Sequence, residues 1–114
     1  MTLEKIVEEV RALAEKYPNA VYQHVDSWCH NLKGKVDNGP DCEGCLIGQA
    51  VRNAGFMFPP CCERDGARSL MYKLGFDKDH PLSRWLGNVQ TVQDGGHTWG
   101  VAVSVADTQE RVNA

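Results

Sequence analysis

Positive charge is in short supply in this sequence: 12 Lys and Arg stand against 15 Asp and Glu, for a formal net charge of −3. Chains that hold nucleic acid or an anionic membrane by electrostatics usually carry a basic face, and the overall balance provides none. Long apolar runs are missing as well. No stretch approaches the roughly 18 apolar residues that a membrane span requires. Charges recur from Glu4 to Lys16, leaving no apolar signal core there, so a cytoplasmic (cytosolic) protein is expected. There is no low-complexity tract, and 42% apolar with 24% charged residues is an ordinary globular composition. One domain over residues 1–114 is expected, long enough to bury about two thirds of its unfolded surface without covalent staples.

Catalytic signatures are lacking too. The chain contains no Gly-x-Ser-x-Gly, no phosphate-cradling Gly-rich loop ending in Lys-Ser/Thr and no His-Glu-x-x-His. His97 follows Gly95-Gly96 in what reads as a turn. Asp77 and Asp79 lie in a polar linker, without the desolvation that separates the pKa values of an acid–base pair. These absences disfavour an enzyme.

What is present is helical periodicity. Thr2 can cap a helix whose apolar residues Leu3, Ile6, Val7, Val10, Leu13, Ala14 and Tyr17 form one stripe, stopped by Pro18. A second, short helix carries Leu46, Ile47, Ala50, Val51 and Ala54, with Gly48, Gln49, Arg52 and Asn53 on its other side. A third has Asp65 as cap and Ala67, Leu70, Met71 and Leu74 inward. Both short helices end in Gly-Phe (Gly55-Phe56, Gly75-Phe76), which fits a left-handed glycine followed by an apolar residue folding back. His80-Pro81 opens a longer helix bearing Leu82, Trp85, Leu86, Val89 and Val92. After Thr98, residues Trp99, Ala102, Val103 and Ala106 repeat with helical spacing, while Val101, Val103 and Val105 alternate as in a strand. The helix is preferred, because a short turn would make an antiparallel pair in which Trp85 and Trp99 share a core. The expectation is an all-α fold, a compact bundle of four or five short helices, with an irregular or hairpin-bearing loop at about residues 20–41. Asp37-Asn38-Gly39-Pro40 is the turn in that loop.

Five cysteines at irregular spacings in a reducing compartment argue against a disulfide framework, leaving buried thiols, metal ligands or a redox pair. Cys42 and Cys45 form a Cys-x-x-Cys turn that can place two sulfurs on one zinc, with Cys29 and His30 or Cys61 as the other ligands. The spacing matches no common zinc finger, and buried or incidental thiols are the simpler reading. An iron–sulfur cluster ranks lower. A thiol-redox role ranks lower still: Asp41 and Glu43 flank Cys42 and would repel a developing thiolate charge, and no βαβ context surrounds the motif. Phe56, Met57 and Phe58 are either a cap over the core or an exposed contact patch. Arg64, Arg68 and Lys73 form the most basic cluster, read as a solvated helix face.

The segments Gly44-Cys45-Leu46-Ile47-Gly48-Gln49-Ala50, Trp85-Leu86-Gly87-Asn88-Val89-Gln90-Thr91-Val92-Gln93-Asp94-Gly95-Gly96 and Trp99-Gly100-Val101-Ala102-Val103 resemble small uncharacterised proteins of actinobacteria and their phages. The resemblance implies a helical fold, a helix after Trp99, and a phage accessory protein. Cys61 and Cys62 fall outside its pattern. Together these readings point to a small non-enzymatic protein that binds another protein, a phage-encoded modulator of a host factor. The alternative is a structural zinc module.

Overall fold

The computed structural model describes residues 2–24, 30–58 and 65–112. Among them, five helices and two short strands run in the order α1 (Leu3–Lys16), β1 (Val21–Tyr22), β2 (Val36–Asp37), α2 (Leu46–Asn53), α3 (Ala67–Lys73), α4 (Pro81–Asp94) and α5 (Trp99–Val112). The fold is largely all-α. The strands make one antiparallel pair, Val21 opposite Asp37 and Tyr22 opposite Val36, inside the loop that the sequence marks as irregular or hairpin-bearing. No described helix is long and apolar enough to cross a membrane.

α1 starts where Thr2 caps it, the Thr2 hydroxyl accepting from the Lys5 amide at 3.1 Å. Its stripe of Leu3, Ile6, Val7, Val10 and Ala14 is buried, and the helix ends one residue before Tyr17-Pro18. α2 departs from its pattern. Leu46 to Val51 are all buried, including Gly48 and Gln49, which the spacing assigns to the outer side. The reason is a second layer: the 30–34 segment lies over that side of the helix.

α3 begins after Gly66, not at Asp65. A carboxylate cap there is unnecessary because the Ala67 amide donates to the Gln90 side chain at 2.5 Å. Asp65 instead pairs with Lys73 at 2.7 Å. The Gly-Phe endings behave alike in α2 and α3. Gly55 and Gly75 adopt φ +94° and +99°, and the Phe56 and Phe76 amides reach back to the Val51 and Met71 carbonyls. The two phenyl rings then meet edge to face, 5.8 Å apart.

α4 is the central element, packing against the other four helices. His80 caps it, Nδ1 accepting from the Leu82 amide at 3.0 Å, and Pro81 fills its first turn. Besides its apolar face it turns two glutamines inward. Gln90 accepts from the start of α3, and Gln93 accepts from the Leu46 amide at the start of α2 at 2.7 Å. Each satisfies a donor that a helix leaves open at its first turn.

Residues 99–112 are helical, so the period-two valines do not mark a strand. Trp99, Ala102 and Ala106 are buried, as the helical spacing requires. The α5 entrance is fixed by backbone: the Trp99 and Gly100 amides donate to the Ala20 and Pro18 carbonyls at 2.9 and 3.0 Å. Farther along, Asp107 receives both terminal nitrogens of Arg11 at 2.8 and 3.0 Å and the Trp85 indole N–H at 2.9 Å. The Arg11 guanidinium lies 4.6 Å over the Trp85 ring, so one cluster ties α1, α4 and α5. Asp107's hydrogen bond and charge raise the Arg11 pKa above its ordinary value against the opposing pull of burial. A raised pKa means that the pair's contribution is complete below the ordinary guanidinium range and is lost only as pH rises beyond it.

Candidate functional site

The chemistry-bearing residues of the 20–45 region converge on the start of α2, and a tyrosine organises them. Tyr22, carried on β1, accepts from the His30 amide and donates to the Lys33 carbonyl, both at 2.8 Å. A Cβ at Gly34 would meet that hydroxyl at 2.6 Å, and Gly34 has φ +101°, so the 30–34 segment wraps the tyrosine. Two backbone bonds then lay it against the Cys-x-x-Cys loop: Gly44 N–H to Gly34 C=O at 2.9 Å and Cys45 N–H to His30 C=O at 3.0 Å. Replacing Tyr22 with Phe is expected to cost about 1–2 kcal/mol, since it strands a buried amide and a carbonyl. Faster amide exchange at His30, with α1 unaffected, is the accompanying sign.

Asn31 sits at the contact. Its backbone carbonyl faces Gly44 and Gly48 so closely that a Cβ on either would overlap it, at 2.3 and 1.9 Å. Its side chain bridges two parts of the chain: Oδ1 accepts from the Cys45 thiol at 3.3 Å, and Nδ2 donates to the Asp65 carbonyl at 3.2 Å. Gln49, 2% exposed, holds the rest of the loop. It donates to the Cys42 and Gly44 carbonyls at 3.3 and 2.9 Å and accepts from the Cys42 thiol at 3.2 Å. Arg52 braces the same loop by donating to the Glu43 and Gly48 carbonyls. The outcome is asymmetric. Cys42 is exposed, whereas Cys45 is buried in the N-cap position of α2.

Of the zinc ligands expected from the sequence, Cys42, Cys45 and His30 are described, and Cys29 and Cys61 lie outside the described residues. Among the described residues no three His, Cys, Asp or Glu side chains gather as a metal site. The Cys42 and Cys45 thiols donate to the side-chain oxygens of Gln49 and Asn31.

The 56–58 cluster divides. Phe56 and Phe58 are half-buried against the core, while Met57 is 89% exposed. Tyr72, on α3 four residues before Phe76, is 66% exposed. Of the basic cluster, Arg64 lies outside the described residues, and the other two cations are engaged: Lys73 with Asp65, and Arg68 with Asp79 at 2.6 Å and the Lys78 carbonyl at 2.9 Å. Asp77 serves the turn, accepting from the Asp79 amide, and His97 is exposed. An open cavity of about 440 Å³ between α3, α4 and α5 is lined, among the described residues, by Arg68, Arg84, Asn88, Gln90 and Glu110 together with small residues, none of them an imidazole or thiol.

Asn31, Gln49 and Tyr22 escape sequence reasoning. Their roles depend on contacts across the loop, although a glycine at Gly48 inside a short apolar helix already hints that another backbone comes close. No family model, curated protein or solved structure matches the chain.

Proposed function

We propose that this chain is a non-enzymatic protein-binding module of the cytosol, docking its partner over the surface flanked by Met57 and Tyr72. The supporting observation is an exposed methionine and an exposed tyrosine around a fixed aromatic pair, Phe56 on Phe76. Flexible thioether and rigid phenol groups are favoured at recognition surfaces, because each buries large apolar area at modest entropic cost. The sequence resemblance extends this reading: the partner would be a host factor and the chain a phage-encoded modulator of it.

The test is a photo-crosslinking residue placed at position 57, and at Glu4 on α1 as control, in cells that make the protein. One discrete protein adduct at 57 and none at Glu4 is expected, with Tyr72→Asp cutting its yield at least about tenfold, as hot-spot loss does. The melting temperature should stay unchanged, because both side chains face solvent. Equal labelling from both positions, or undiminished yield in Tyr72→Asp, overturns the proposal.

A further inference from the structure

The Cys-Glu-Gly-Cys loop spans residues 42–45. Its two thiols have opposite access: Cys42 is exposed and Cys45 fully buried. The chain bends between them at Gly44, φ +109°, and the Gln49 carboxamide touches the Cys42 thiol, the Cys42 carbonyl and the Gly44 carbonyl at once. The loop is therefore drawn together over one side chain. Cys42 also lines an open cavity of about 380 Å³, shared with Lys35, Asp37, Asp41 and Glu43. Among its described lining residues three carboxylates stand against one ammonium, and a small cationic guest seated there offsets the repulsion that Asp41 and Glu43 exert on charge developing at the Cys42 sulfur.

We infer that Cys42 and Cys45 are a reversible thiol–disulfide pair, with Cys42 as the entry thiol, Cys45 as the resolving thiol and a low-molecular-weight cationic disulfide as the oxidant. Cys42 releases its proton to solvent as its sulfur attacks the small disulfide, whose S–S bond breaks and expels one thiol. Cys45 then attacks the Cys42 sulfur of the mixed disulfide. The second small thiol leaves, and the Cys45 proton goes with it or to water. Two protein thiols are oxidised by two electrons, and one small disulfide is reduced to two thiols. A disulfide sulfur carries no proton, so the two thiol bonds, Cys42 to the Gln49 oxygen and Cys45 to the Asn31 oxygen, are both surrendered. The Gln49 bonds to the Cys42 and Gly44 carbonyls stay available in either state.

Tryptic cleavage after Lys35 and Arg52 isolates residues 36–52, which hold these two cysteines and no other. The folded, full chain is treated with cystamine, quenched in acid, alkylated and digested. The wild-type peptide is expected to be lighter by two hydrogen atoms, to take up no alkylating agent and to regain both thiols in excess cysteamine. Cys45→Ser should stall with cysteamine attached to Cys42, and Cys42→Ser should stay unmodified at Cys45. Anionic glutathione disulfide should react about tenfold more slowly at low ionic strength, through repulsion by the cavity. The inference is overturned if the wild-type peptide keeps two free thiols or stops at the mixed disulfide. Preferential modification of Cys45, equal rates with the two disulfides, or thiols blocked by co-purified zinc would overturn it as well.

Discussion

Gly48→Ala should cost about 3 kcal/mol of stability, even after the gain of about 1 kcal/mol that alanine brings to a helix interior. The new methyl carbon would lie 1.9 Å from the Asn31 carbonyl oxygen and 2.6 Å from two further Asn31 backbone atoms. A backbone cannot swing aside as a side chain does, so either α2 shifts or the 30–34 segment lifts off. The same substitution at Gly87, within α4, meets only the Arg68 Cγ and Cδ at 3.2 Å. That stem is flexible and partly exposed, and Gly87→Ala should be neutral or stabilising by up to about 1 kcal/mol. Urea unfolding of both variants gives the comparison through the shift in midpoint at constant slope. A Gly48→Ala midpoint at or above wild type would mean that Asn31 does not occupy this position.

Gln93→Leu, the second large effect, should lose about 2 kcal/mol although it keeps side-chain volume and adds apolar character. Gln93 is fully buried, and its oxygen is the acceptor for the Leu46 amide. Leucine leaves that amide in the interior without the bond it had, which costs more than the substitution returns in hydrophobicity. A thermal melt measures the loss, and hydrogen exchange locates it: the Leu46 amide should exchange faster, ahead of α1. Unchanged protection at Leu46 would place its acceptor elsewhere.

The helices were legible because they are driven by burial of one face, and burial of one face leaves a period in the sequence. α1 shows this most plainly. Its stripe, its Thr2 cap and its Pro18 stop are local properties, and the structure uses all three. The Gly-Phe endings of α2 and α3 were legible for the same reason. Asp65 stands where a local cap would, but the acceptor for the start of α3 is Gln90, 23 residues beyond the Ala67 amide that it receives. The 30–34 segment carries no period, being held by Tyr22 and by the close approach of Asn31 to Gly44, before α2, and Gly48, within it. The candidate site was half legible: the Cys-x-x-Cys pair stands out, but the difference in access between its thiols arises from Asn31 and Gln49, which no spacing rule connects to them.

The tie between the α5 entrance and residues 18 and 20 bears on the order of folding. α1 shares its most extensive contact with α2, yet the amides that satisfy the Pro18 and Ala20 carbonyls belong to Trp99 and Gly100, and the anion for Arg11 is Asp107. Those closing contacts of α1 span a far longer loop than its packing on α2. The entropy of closing that loop makes them late to form, so docking of α5 is expected to be the last step of folding.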